Sequence, residues 1–195
     1  FEQDHLQMAY GIYMLTAKSP VVRKLKRIAQ PNIHGHKTWS SSFLIMDYLQ
    51  DNKLKKNTRL LELGCGWGPA SVYCASQQKA KVTGLDLDEN VFPYLEVMAA
   101  ANDCKVKPLQ ASFSDMKGKD LAEFDVVIGA DICFWDALVD DLFKLFKRAK
   151  RAGVKKIILI IRIGISISII SPTFKQTIRQ LKLTAVEFLH YAYTI

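Results

Sequence analysis

The sequence predicts an α/β protein: a doubly wound, mostly parallel sheet with helices on both faces, three layers in αβα order. Three observations carry that expectation. From Arg59 onward, strand-like and helix-like segments alternate along the chain. The strand-like segments are near-continuous apolar runs such as VVI and IILII, the pattern of strands covered on both faces. A glycine-rich turn, GCGWG, follows the first of them and leads straight into a helix-like segment.

The elements read in order as follows. Residues 1–58 have helical character and form an N-terminal extension or cap, and residues 59–195 form the core of the same domain. In the extension, SPVVRKLKRIAQ has a good helix start, with Ser19 as cap and Pro20 at the first position, where a missing N–H costs nothing. NIHGHKTWSS reads as a loop and SFLIMDYLQ as a second helix, and this part is expected to pack over the ligand edge of the sheet. RLLELG is the first core strand. PASVYCASQQKA is a helix opened by Pro69, KVTGLD the second strand, and ENVFPYLEVMAAAN a helix that tolerates Pro93 only in its first turn. VKPLQAS and FDVVIGAD are the third and fourth strands. WDALVDDLFKLFKRAKRAG is a long amphipathic helix with Leu138, Leu142, Leu145, Phe146 and Ala149 on one face, stopped by Gly153. KKIILIIRI is a fifth strand, PTFKQTIRQLK a helix and LTAVEFLHYAYTI a sixth strand.

Composition narrows the function classes. The chain has 195 residues, of which 49% are apolar and 24% charged, which suits one globular domain. It starts at Phe1 and stops in an apolar segment, so both ends read as cut. The net charge of +8 admits an acidic protein partner or nucleic acid. The cationic run RKLKR, Arg23 to Arg27, lies where it could steer either, although no aromatic residues interleave it as in RNA-binding surfaces. The run KRAKRAGVKK, Lys147 to Lys156, ends a helix, where cations favour the dipole, and reads as a solvated face. Four cysteines show no CxxC spacing and no zinc pattern, so they read as reduced thiols of a cytoplasmic protein with no metal. The longest apolar run, Ile157 to Ile170, is too short to span a bilayer and contains Arg162, so no membrane partner is expected.

The glycine turn points to a ligand. In an open α/β sheet the first strand–helix turn is the privileged binding place. Gly64, Gly66 and Gly68 let backbone approach a bulky group closely. Asp86 ends the second strand, where a carboxylate can take both hydroxyls of a ribose. A dinucleotide fingerprint would place its third glycine one residue later and put a pyrophosphate on the helix N-terminus. Here Glu62 precedes the turn; its carboxylate would repel a pyrophosphate and suits a cation. An adenosine cofactor with an ammonium, a sulfonium and no phosphate is S-adenosylmethionine.

With these residues the chain resembles the seven-stranded, class I S-adenosylmethionine-dependent methyltransferases, a Rossmann-like family. The resemblance covers roughly Trp39 to Ile163 by order of elements. It rests on ELGCGWG (Glu62 to Gly68), VTGLD (Val82 to Asp86), ASFSD (Ala111 to Asp115) and FDVVIGAD (Phe124 to Asp131). It implies that Glu62, Gly64, Cys65 and Gly66 lie at the methionine part of the cofactor. Asp86 and Leu87 would lie at the ribose, Ser112 and Phe113 beside the adenine, and Ala130 beside the transferring methyl. A narrower likeness is to the group that methylates protein lysines, through GHKTW (Gly35 to Trp39) and DICF (Asp131 to Phe134). It implies that Trp39 closes over the cofactor and that Asp131 and Phe134 face the incoming amine. That group usually has tyrosine in place of Phe134. RIGISISIIS, Arg162 to Ser171, departs from the family's polar loop and receives no site residue. The family's seventh strand would lie past Ile195.

The expected reaction is methyl transfer by in-line displacement to a protein lysine amine, leaving S-adenosylhomocysteine. Positioning in a dry site supplies most of such a rate. Rivals are the same chemistry on a nucleic-acid base or small metabolite, a non-catalytic cofactor-binding scaffold, and a nicotinamide dehydrogenase. The last would need a glycine near Ala70 and tolerance for Glu62.

Overall fold

A computed structural model describes residues 2–3, 5–32, 35–132, 136–160 and 186–188. The core is one six-stranded sheet in which every neighbouring pair is parallel. Its strands are β4 (Arg59–Leu63), β5 (Lys81–Asp86), β6 (Val106–Gln110), β7 (Val126–Ala130), β8 (Lys156–Ile160) and β9 (Val186–Phe188). They lie in the order β6-β5-β4-β7-β8-β9. The order reverses between β4 and β7, and a crevice opens beyond their carboxyl ends.

Helices cover both faces, as the solid apolar strands require. Along each strand alternate residues face opposite layers. Leu60, Ile128, Ile158 and Ile160 enter one apolar layer with helices α2 (Ser41–Asp51), α3 (Pro69–Ser76) and α4 (Phe92–Ala100). Leu61, Leu63, Val127, Ile157 and Leu159 enter the other with α5 (Gly118–Leu121) and the long α6 (Asp136–Arg151). Leu142, Leu145, Phe146 and Ala149 form the buried stripe of α6, the face its periodicity predicts. Pro69 and Pro93 both sit in the first turn of their helices, where no backbone bond is lost.

The extension differs from its sequence reading. Helix α1 (Pro20–Ile28) and α2 are where the caps and periodicity place them. Residues 2–15 are a small antiparallel sheet instead of helix: β1 (Glu2–Gln3), β2 (Leu6–Ala9) and β3 (Ile12–Leu15). Ala9 pairs with Ile12, so Tyr10 and Gly11 form a two-residue hairpin loop, both with positive φ. Ile12 and Met14 alternate into the core while Tyr13 faces out. Of the expected sixth strand, Val186–Phe188 lies within the described residues and pairs with β8. RIGISISIIS and the helix expected at PTFKQTIRQLK lie outside the described residues.

Candidate functional site

At the crevice between β4 and β7 lies a cavity of about 230 Å³. The turn after β4 forms its floor. Gly64, Gly66 and Gly68 all have positive φ, and Gly66 donates its N–H to Asp86 Oδ2 at 2.9 Å. A Cβ added at Gly66 would meet nothing within 4 Å, so the turn leaves room above it for a ligand. At Gly68 a Cβ would come within 2.0 Å of Leu95 Cδ1, so that glycine serves close helix packing.

The structure brings most of the sequence-predicted residues to this one cavity. Gly64 and Gly66 line it with Asp86 and Leu87 from the end of β5. Ser112 and Phe113 line it from the loop after β6, and Ala130 and Asp131 from the end of β7. Trp39 closes it from the extension, with the Lys37 ammonium 4.4 Å from its ring centroid. Asp131 holds φ +50°, a strained conformation for a residue with a side chain, and donates its N–H to Ile160 O at 2.9 Å.

Two predicted residues stand elsewhere. Glu62 shares the Leu60 face of β4, so its side chain enters the α3 layer beneath the turn and does not line the cavity. Its carboxylate is 2% exposed and accepts a hydrogen bond from the Ser71 hydroxyl on α3. Burial pushes its pKa up to about 8 against the pull of that hydrogen bond, so the neutral acid prevails near neutral pH. Cys65 is also buried below the turn, and desolvation raises its thiol well above the ordinary value. Both are corrections to the expectation that they touch a ligand. Phe134, with Cys133 and Trp135, lies outside the described residues.

Asp86 is placed differently from Glu62. It reaches the cavity, accepts from the Gly66 and Asp88 N–H groups, and has its pKa raised chiefly by desolvation. No group among the described residues could gather a metal ion: no cluster of three His, Cys, Asp or Glu occurs.

Three contributors escaped the sequence reading. Asp141 and Leu138, one turn apart on α6, line the cavity; the signal was the start of that helix directly after the β7 end. Arg148 belongs to the run read as a solvated face. It donates instead to the carbonyls of Phe113 at 2.7 Å and Met116 at 2.9 Å, and so holds the loop carrying Ser112 and Phe113. The roof is pinned by buried aromatic residues. The Trp67 indole N–H donates to Gly35 O at 2.6 Å, the Tyr94 hydroxyl donates to Ala29 O at 2.8 Å, and the two rings stack 4.7 Å apart.

Among the described residues that line the cavity, the ionisable side chains are Asp86, Asp131 and Asp141, with no lysine, arginine or histidine. Such a lining welcomes a cation-bearing nucleoside and repels a diphosphate.

Residues 60–153 match the family model described as "Methyltransferase domain". A stretch of 58 residues is 43% identical to a Sphingolipid C9-methyltransferase of Komagataella phaffii, covering 25% of this chain and 12% of that protein. A second, of Candida albicans, is 39% identical over 54 residues, 23% of this chain and 10% of that protein. The match thus spans about an eighth of the first relative's length. Among solved structures, an S-adenosylmethionine-dependent methyltransferase from Clostridium acetobutylicum superposes with a TM-score of 0.45 at 19% identity, over 67% of this chain and 52% of that one.

Proposed function

We propose, from the match of residues 60–153 to the methyltransferase-domain model, that this protein is a class I methyltransferase that moves a methyl group from S-adenosylmethionine to an amine acceptor, a protein lysine. The observation that carries the cofactor is the all-carboxylate lining joined to the open space above Gly66. Bound there, the cofactor supplies an electrophilic methyl on a positively charged sulfur, and transfer relieves that charge. Asp86 takes the ribose hydroxyls, because its carboxylate ends β5 inside the cavity while Gly66 fixes its orientation. Ser112 and Phe113 flank the adenine on a loop that Arg148 holds in place.

Asp131 and Asp141 stand where the acceptor enters. Two carboxylates attract a lysine ammonium, and Asp131 orients the amine once its proton has gone to solvent. Phe134 is assigned by resemblance to the aromatic wall that favours the neutral amine over its charged form. No general base beyond this is required, because in-line displacement depends mainly on positioning.

A second acceptor class has its own support: both curated relatives reported above are named as sphingolipid methyltransferases. One experiment separates the readings. Cell extract is incubated with the protein and tritiated S-adenosylmethionine, then divided into protein, nucleic acid and solvent-extracted lipid. Label in protein that survives delipidation and RNase supports the lysine reading. Label confined to the lipid phase replaces it with the second, and label in RNA alone refutes both.

A further inference from the structure

The charge of this chain is gathered unevenly. Between Asp4 and Asp47 there is no aspartate or glutamate, while six lysines and arginines fall in that interval. Four of them lie on α1, at Arg23, Lys24, Lys26 and Arg27. At 3.6 residues per turn, Val22 and Leu25 share one side of this helix, and Ala29 follows its last residue. That side is used: Val22 and Ala29 are buried with Trp67 and Tyr94, and Leu25 packs against them. The opposite arc, roughly 140° wide, carries Arg23, Lys24, Arg27 and Ile28. Its three cations are exposed, and Ile28, 80% exposed, is the most exposed large apolar residue among those described. Val21, 42% exposed, borders the same arc.

A solvated cationic face needs no exposed isoleucine within it. A bilayer interface suits both components together: phosphate head groups take the guanidinium and ammonium groups, while an aliphatic side chain enters the acyl boundary. RNA would call for aromatic residues to stack on, and the arc has none. The place of the helix in the fold fits the same occupant. Ile28 precedes Gly35 of the cavity wall by seven residues, a reach of at most about 25 Å. Tyr94 fixes the α1 end through Ala29, and Trp67 fixes Gly35, so face and cavity are held to one another.

We propose that the outward arc of α1 is a docking surface for an anionic lipid bilayer, which the protein touches peripherally beside its cavity mouth. No helix among the described residues is long and apolar enough to cross a membrane, so the attachment is to the surface. It concerns residues outside the methyl-transfer machinery and holds or fails independently of that chemistry.

The test is sedimentation of the full chain with vesicles of phosphatidylcholine alone, or of phosphatidylcholine with about a third phosphatidylglycerol. The expected result is at least roughly tenfold stronger binding to the anionic vesicles, falling as salt is raised. Lys24→Glu combined with Arg27→Glu should lower that binding by about tenfold or more, and Ile28→Ser alone by about threefold. These side chains are exposed, so circular dichroism and melting curves should match the parent chain. Absence of binding to the anionic vesicles overturns the proposal, as does equal binding by parent and charge-reversed chains. Preferential capture by RNA or by polyglutamate that anionic vesicles fail to displace overturns it too, in favour of a nucleic-acid or acidic-protein partner.

Discussion

The two ends of the central sheet hold carboxylates in opposite circumstances. At the amino ends of the strands, Asp125 takes the Arg59 guanidinium at 3.1 Å and the Lys155 ammonium at 2.9 Å, and these partners hold its carboxyl well below the usual range. At the carboxyl ends, Glu62 and Asp86 have no cation beside them, and desolvation raises both. One end is neutralised and serves the fold. The other keeps acid in a poorly solvated place, and there Asp86, which lines the cavity, leaves an attraction open to an incoming cation. The contrast singles out Asp86, which faces the cavity with no cation bonded to it among the described residues, whereas Glu62 lies beneath the turn against Ser71 and serves the fold.

The largest effect that sharpens this contrast is expected at Glu62. Its folded-state pKa of about 8 lies above the ordinary 4.5, so the folded chain binds more protons between those values. The stability that Glu62 contributes is therefore fully present below pH 4.5 and is lost as pH rises through 8. Glu62→Gln keeps the Ser71 hydrogen bond and removes the titration. It should gain on the parent by about 5 kcal/mol at alkaline pH and by almost nothing in acid, read from urea unfolding across pH. Equal pH profiles for the two chains would break the comparison.

Next in size is Asp86→Ala, which should weaken S-adenosylhomocysteine binding by about 2 kcal/mol, roughly thirtyfold, in calorimetric titration. Binding of NADH in its place would end the methyltransferase reading. Gly66→Ala has open space for its methyl group yet must hold φ +52°, so about 1 kcal/mol of stability should go, with a larger loss in cofactor affinity. At the opposite end, Asp125→Asn should cost under about 1 kcal/mol, because its partners are solvated, and should leave cofactor affinity unchanged.

Much of this was legible in the sequence, for identifiable reasons. Buried parallel strands announce themselves as apolar runs, and Pro69 and Pro93 mark helix starts. The residues that meet at the cavity come from strand ends, so strand order alone brings Gly64, Asp86, Ser112 and Asp131 together. What was missed depended on depth and on weak turn chemistry. The hairpin at Tyr10–Gly11 lacks the asparagine or aspartate that usually marks such loops, so its alternating pattern passed for helix. Glu62 was read by its neighbourhood to the glycines, although alternation with Leu60 sends it under the turn towards Ser71. Arg148 sits in a cationic run, and nothing local shows that two carbonyls of a loop more than thirty residues away wait for it.

The stacked pair of Trp67 and Tyr94 has a mechanical meaning. Each ring anchors a different point of the segment between α1 and the cavity wall, one at Gly35 and one at Ala29, and the rings lean on each other. The end of α1 and the cavity wall are consequently tied to one stacked pair. Two aromatic planes and two hydrogen bonds thus set the distance between the outward face of α1 and Gly35.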